Sequence, residues 1–264
     1  MSKKIKSKKI LIMGLPGAGK TYLAKQVYRE LNAVWINGDK VRKKFKDWDF
    51  TKNGRIRQAK RLNKLSNEHI KRGKDVVVDF ICPNKDSFKY FKADFVVWLD
   101  TIKKGRYIRK HLDDINPIFK KPKKFDIRVT TKDAKLWKLA VIDRIKKRKW
   151  NNKKPTAQML GRYQPWHLGH KKLFECIVKR DLQVNIQVKD AQGLGKKNPF
   201  SFKKIKRIIQ EDLENFKSRI KITKVPNITN IFYGRKVGYK IDKILTPKEF
   251  RSISATKIRS KLKI

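Results

Sequence analysis

The octapeptide Gly14-Leu15-Pro16-Gly17-Ala18-Gly19-Lys20-Thr21 constrains this chain more than any other stretch. It follows a short apolar run, Ile10-Leu11-Ile12-Met13, and precedes a helix-like run from Tyr22 to Leu31. A strand, a glycine-rich turn and a helix in that order are the context in which such a pattern builds a phosphate-binding loop. Gly14, Gly17, Ala18 and Gly19 let successive backbone N–H groups point at phosphates. Lys20 brings a cation to the β- and γ-phosphates, and the Thr21 hydroxyl can ligate Mg²⁺. The segment therefore predicts the first β–α step of a parallel, helix-covered sheet.

Further strand-like runs, Ala33–Ile36, Val76–Val78 and Phe95–Leu99, alternate with helical stretches, as such a sheet requires. The first delivers Asn37-Gly38-Asp39-Lys40-Val41-Arg42. A carboxylate at a strand end near a phosphate loop can orient or deprotonate an acceptor hydroxyl, and an arginine one turn later can hold an anionic substrate. The plainer role for Asp39 is to cap the following helix. Asp79, at the end of the Val76–Val78 run, is a candidate for water-mediated contact with Mg²⁺. A basic helix is expected through Arg72, a lid over Lys103–Lys124, a closing helix over Ala134–Trp150 and a polar linker over Asn151–Pro155.

The pair GLPGAGKT and NGDKVR resembles the GLSGAGKS and DGDxxR pair of adenylylsulfate kinases. The resemblance implies an ATP-dependent kinase in which Asp39 contacts the acceptor and acts as base, while Arg42 binds the acceptor's anionic part. The family's FSxxDRxxNIRR segment corresponds to Asp49-Phe50-Thr51-Lys52-Asn53-Gly54-Arg55 and the helix after it. Arg55 matches, Gln58 stands where asparagine is expected and Lys60 where arginine is. Arg55 and Gln58 are thus placed on the substrate side, with the substrate's identity open. Asp79-Phe80-Ile81-Cys82-Pro83 resembles AFxSP, a pattern with no acid at the first position. The lysine-rich KGLYKKAR of the lid has no match beyond Phe119-Lys120-Lys121-Pro122.

The second half carries Gly161-Arg162-Tyr163-Gln164-Pro165-Trp166-His167-Leu168-Gly169-His170 between a strand-like run, Thr156–Leu160, and a helix-like run, Lys171–Lys179. Two of the chain's four histidines thus stand at a helix start, where unpaired N–H groups favour anions. Such imidazoles can hydrogen-bond a triphosphate and follow charge onto a leaving pyrophosphate. Metal ligation would need further cysteines or carboxylates nearby, and ordinary surface histidines are the remaining alternative.

This segment resembles the GRFQPFHxGH signature of the HxGH nucleotidylyltransferases, most closely the archaeal-type nicotinamide-mononucleotide adenylyltransferases. Ile253-Ser254-Ala255-Thr256-Lys257-Ile258-Arg259 is similar to the second signature of that superfamily, ISxTxxR. The resemblance implies catalysis by His167 and His170. It implies nucleotide binding by those two with Gly161, Arg162, Gln164, Gly169, Ser254, Thr256 and Arg259. Asn198-Pro199-Phe200-Ser201 is similar to the family's NPFT. Strands are expected at Gln183–Val188, Arg219–Val225 and Ile228–Tyr233. That spacing is shorter than in the relatives and removes much of the nicotinamide pocket, which leaves the acceptor, and ATP or CTP as donor, open.

At 264 residues the chain accommodates two modest domains, expected at 1–150 and 155–264. The fold class expected is α/β: a P-loop NTPase parallel sheet followed by a Rossmann-like HxGH nucleotidylyltransferase domain. With 71 Lys+Arg against 23 Asp+Glu, the net charge of +48 favours nucleoside triphosphates and anionic small molecules as partners. The lysines are spread evenly, whereas nucleic-acid binders concentrate them on one face, so nucleic acid is a possible but not favoured partner. Cys82 and Cys176 stand alone, which fits a reducing cytoplasm, and no apolar run approaches a membrane span.

The function expected is bifunctional: a Mg²⁺-dependent small-molecule kinase, and a nucleotidylyltransferase that moves AMP or CMP onto a phosphorylated small molecule with release of pyrophosphate. The alternatives are a sulfate-activating enzyme that makes phosphoadenylylsulfate, a polynucleotide-binding kinase, and a domain kept only for binding. The oligomeric state is left open.

Overall fold

The computed structural model describes residues 7–105, 115–191, 193–232, 234, 240–244, 250 and 253–261. The chain falls into two compact units, Met1–Lys147 and Arg148–Ile264.

In the first unit the order is β1 (Lys9–Gly14), α1 (Lys20–Leu31), β2 (Val34–Asn37), α2 (Gly38–Lys44), α3 (Lys52–Lys71), β3 (Val76–Asp79), α4 (Lys85–Phe91), β4 (Phe95–Leu99), α5 (Ile115–Ile118), β5 (Ile127–Val129) and α6 (Ala134–Ile145). The strands lie β2-β3-β1-β4-β5, and every pair is parallel. The apolar runs of β1 and β3 are buried along their whole length, as strands covered on both faces must be. Leu11 and Met13 of β1 pack with Ala59 and Leu62 of α3 and Phe91 of α4 in one cluster. Leu23, Ala24 and Val27 of α1 and Val141 of α6 are also fully or almost fully buried. Because all strands run the same way, the ends of β1, β2 and β3 open on one edge, where a parallel sheet receives ligands.

Local chemistry sets the helix ends. Asn37, Thr51, Asn84 and Asp133 each accept a bond from a first-turn N–H of α2, α3, α4 and α6. Helix α6 ends at Ile145, short of the expected Trp150, where Lys147 turns left-handed at φ 50°. The edge strand β5 falls between the expected lid and the expected closing helix, where no element is predicted. Of the expected lid, 106–114 lie outside the described residues.

In the second unit, β6 (Thr156–Gly161), α7 (Leu168–Val178), β7 (Gln183–Lys189), α8 (Phe202–Asp212) and β8 (Ile220–Val225) follow one another, and α9 (Ala255–Lys261) comes last. The three strands lie in chain order and pair in parallel. Val184, Ile186 and Val188 of β7 are buried with Phe174, Ile177 and Val178 of α7. Arg148 belongs to this unit through Asp181, and Asn151 through Gln183, so the division falls after Lys147. The strand expected at Ile228–Tyr233 is not formed across its described residues. Ile231 and Phe232 are 66% and 89% exposed there, with no neighbouring strand among the described residues to bury them. Tyr233 and Arg235 lie outside the described residues. Among the described residues no helix is long and apolar enough to cross a membrane.

Candidate functional site

The loop between β1 and α1 wraps the start of α1. Gly19 occupies the position just before the helix at φ 97°, and a Cβ there would lie 2.8 Å from the Trp137 ring, so only glycine fits. The Lys20 ammonium donates to the Leu15 carbonyl at 3.0 Å, curling over its own loop. Burial lowers its pKa to about 8, and the nearby charges of Asp79 and then Asp39 oppose that shift. Ala18, 2% exposed, is tied to the end of β4 by the Thr101 hydroxyl, which donates to its carbonyl at 2.9 Å.

Asp79, 2% exposed at the end of β3, gathers three donors. The Thr21 hydroxyl donates to Oδ2 at 2.6 Å, the Asn37 amide to Oδ2 at 2.9 Å and the Trp35 indole to Oδ1 at 2.7 Å. Thr21 and Asp79 are both hard oxygen donors in direct contact, a pairing that suits Mg²⁺ held jointly with phosphate and water.

Asp39, Arg42, Arg55 and Gln58 line one recess, together with Phe50, Phe80, Cys82 and Ser87. The structure brings the four together but has already committed three of them. Arg42 donates to the Asp47 and Asp49 carbonyls at 3.0 and 2.9 Å and lies 4.5 Å from the Phe50 ring centroid. Arg55 donates to the Phe50 carbonyl, and the Gln58 amide bridges from the Gly38 carbonyl to Arg61. Asp47 accepts from Arg57 and Arg61, and those bonds, Arg57 first, hold its carboxyl well below the usual carboxylate range. The guanidinium groups of the recess are thus aimed by backbone carbonyls.

In the second unit His167 is the residue before α7. Its Nδ1 accepts from the Gly169 N–H at 3.1 Å, while His170 Nδ1 accepts from the His167 N–H at 3.3 Å. A neutral imidazole that accepts at Nδ1 carries its proton on Nε2, so each ring keeps one N–H donor. The rings stack with centroids 3.7 Å apart, and Tyr163 and Trp166 pack against His170. Burial, with a smaller effect of His167's charge, pushes the His170 pKa down to about 3; burial also lowers that of His167.

The two signature segments of this unit meet. The Arg259 guanidinium donates to the Gln164 carbonyl and to the Thr256 hydroxyl, and a Cβ on Gly169 would lie 3.6 Å from the Phe250 carbonyl. The Gln164 side chain is occupied by the backbone of Phe200, accepting from its N–H at 2.9 Å and donating to its carbonyl at 2.8 Å. Arg162 is exposed, Gly161 closes β6 against the Tyr163 ring, and Ser254 Oγ accepts from the Lys257 N–H. Sequence reasoning missed Trp35, Asn37 and Asp47 as parts of the first site. The alternation of β2, with Trp35 and Asn37 on the face that Asp79 shares in register, could have found the first two.

A family model described as an AAA domain matches residues 10–89, which hold the phosphate loop and every residue lining the recess. No curated protein matches the chain. Among solved structures, it is similar to the Mycobacterium tuberculosis APS kinase in complex with AMPPNP and APS: 25% identity, TM-score 0.47, 53% of this chain and 98% of that one covered. A sugar kinase from a Janibacter species follows at 12% identity and TM-score 0.42, covering 53% and 95%. The Acinetobacter baumannii shikimate kinase in complex with shikimate matches at 18% identity and TM-score 0.39, covering 53% and 94%. With TM-scores under 0.5, these likenesses assign no substrate to this chain.

Proposed function

We propose that the first unit is a phosphotransferase that moves the γ-phosphate of ATP onto a hydroxyl of an anionic small molecule. The observation that carries this reading is Asp79, which joins the Thr21 hydroxyl of the phosphate loop to Asn37, two residues before Asp39 in the wall of the recess. Phosphate site and acceptor site are therefore adjacent. Lys20 neutralises the β- and γ-phosphates, and the loop N–H groups hold them. Thr21 and Asp79 would hold Mg²⁺, which supplies charge neutralisation at the phosphates when bound. Asp39 takes the acceptor proton as the hydroxyl attacks, and Arg42 and Arg55 orient an anionic group at the recess wall. Adenylylsulfate is the first acceptor to test. Sulfate activation and a polynucleotide acceptor are the other outcomes.

The second unit we read as a nucleotidylyltransferase, because the HLGH and ISATKIR segments converge through Arg259 and Gln164. Two neutral Nε2–H donors suit a site that stabilises charge moving onto pyrophosphate, and positioning needs no covalent intermediate. Ser254, Thr256, Gly169 and Arg162 would complete the triphosphate contacts. ATP and CTP are both candidate donors, and a phosphorylated small molecule is the acceptor class. If both readings hold, the first unit's product, an R–O–phosphate, is the kind of acceptor the second unit uses.

Purified protein incubated with Mg²⁺, γ- or α-labelled ATP and either adenylylsulfate or a panel of sugars and nucleosides tests both readings. γ-Label on an acceptor, lost in Lys20→Ala, establishes the kinase. α-Label on a phosphorylated acceptor, lost in His170→Ala, establishes the second activity. Turnover by neither unit across the panel would leave a binding role.

A further inference from the structure

The grip on Asp79 goes beyond what the phosphate loop alone requires. The AFxSP pattern carries no acid at this position, so the resemblance assigns Asp79 and its partners no role. Asn37 and Asp79 are registered neighbours on the parallel strands β2 and β3, and Trp35, two residues earlier, projects from the same face. That placement lets the Asn37 amide take one carboxylate oxygen while the longer indole reaches the other. The indole is itself fixed. Tyr28 stacks on it with centroids 5.7 Å apart and planes 16° from parallel, and the Lys40 and Lys25 ammonium groups sit 4.9 and 5.7 Å from its centroid. With Oδ1 occupied by an immobile donor, the carboxylate cannot turn Oδ2 away from the Thr21 hydroxyl.

We propose that Trp35 and Asn37 are positioning residues that lock Asp79 against Thr21 and thereby set how strongly nucleotide binding depends on Mg²⁺. The proposal rests on reading the first unit as an ATP site. Trp35 acts through Asp79, and Asn37 through Asp79 and, at 3.5 Å, the Thr21 hydroxyl, as partners behind a metal ligand do.

The test follows binding rather than turnover. Full-length protein is titrated with Mg²⁺ at a fixed concentration of a fluorescent ATP analogue, and the Mg²⁺ concentration at half effect is read with the Mg²⁺-free affinity and the thermal midpoint. Trp35→Phe keeps an aromatic ring against Tyr28 and removes the N–H together with part of the ring area. It should raise the half-effect Mg²⁺ concentration about tenfold, the scale on which second-layer partners act, and leave the Mg²⁺-free affinity unchanged. Asn37→Ser keeps a side-chain oxygen to cap α2 and should shift the curve in the same direction, which keeps the proposal testable if the tryptophan variant folds poorly. Asp79→Asn sets the upper limit. A shift in Asp79→Asn with no shift in the folded Trp35→Phe or Asn37→Ser variants would overturn the positioning role alone. A native protein whose nucleotide affinity ignores Mg²⁺ would overturn the reading of the site as well.

Discussion

Around Lys20 the polar groups are charged and neutralise one another, whereas around His170 they are neutral and packed between rings. In the first unit Asp79 and Asp39 face Lys20, and Asp47 is ringed by Arg42, Arg57 and Arg61. In the second, two imidazoles lie against Tyr163 and Trp166, and the carboxylate of Asp212 is taken by Trp166 and Lys171. The contrast teaches how each site can meet phosphate. Under the proposed reading, the first would bring positive charge and a seat for a divalent cation. The second offers oriented N–H groups whose strength comes from fixed geometry in a partly dry setting.

The largest effects test whether these are separate machines. Lys20→Ala should lower phosphoryl transfer by about 10²–10³-fold, as loss of a charge-stabilising donor does, and leave nucleotidylyl transfer alone. His170→Ala should do the reverse. Assays of both reactions on both variants check this, and loss of both reactions in either variant would break the division of labour.

A smaller effect sharpens the contrast in rigidity. A Cβ on Gly38 would stand 2.7 Å from Phe80 Cβ and 3.2 Å from the Asp79 carbonyl, at the joint that carries Asp39. Gly38→Ala must move backbone and should cost about 1–3 kcal/mol, with a raised acceptor KM. A Cβ on Gly169 meets the His167 ring at 3.0 Å, and a ring can give by tenths of an ångström. Gly169→Ala should therefore destabilise less than Gly38→Ala while still lowering nucleotidylyl transfer. Denaturant unfolding of the two variants side by side decides the order.

The parts legible in the sequence are those in which a residue acts through its own backbone or near neighbours. The phosphate loop and the buried strands are of this kind, whereas the cap of α2, read as the plainer role for Asp39, is made two residues earlier by Asn37. What was hidden is where long polar side chains spend their hydrogen bonds. Arg42, Arg55, Gln58, Gln164 and Arg259 look like ligand contacts in sequence, yet each is held by a main-chain carbonyl. Such partners leave no trace in residue type, because every residue has a carbonyl. Trp35 was hidden for the converse reason: an aromatic in a strand reads as core, and only the fold shows its N–H on Asp79.

The pH response separates the units again. His170 has a pKa near 3 when folded against 6.5 ordinarily, so the unfolded chain binds a proton between those values that the folded chain does not. The stability held by the neutral ring is complete above 6.5 and drains as pH falls toward 3. Asp47, whose ordinary value is 3.8, contributes its own loss only around and below that value, because its pKa is depressed. Thermal unfolding between about pH 7 and 4 should thus show a decline in the native protein that His170→Gln flattens. Equal slopes in the two proteins would mean that the ring is not held neutral by burial.

The smallest effect is a fraction of a proton, and it belongs to Lys20. Its pKa of about 8 in the free protein comes from burial, against an ordinary 10.5. Near that pH the ammonium is partly neutral. A triphosphate seated in the loop brings negative charge within reach and draws the pKa back up, so binding must take up part of a proton. The uptake should fade toward neutral pH, where Lys20 is already charged. Calorimetry of nucleotide binding near pH 8 in two buffers of different ionisation enthalpy measures the uptake directly, and the Asp39→Asn variant refines it. Removing a carboxylate that opposes the depression lowers the free-state pKa further, so proton uptake near pH 8 should increase. An unchanged uptake in Asp39→Asn would mean that the acceptor wall does not feel the phosphate loop, and the adjacency on which the kinase reading rests would fail with it.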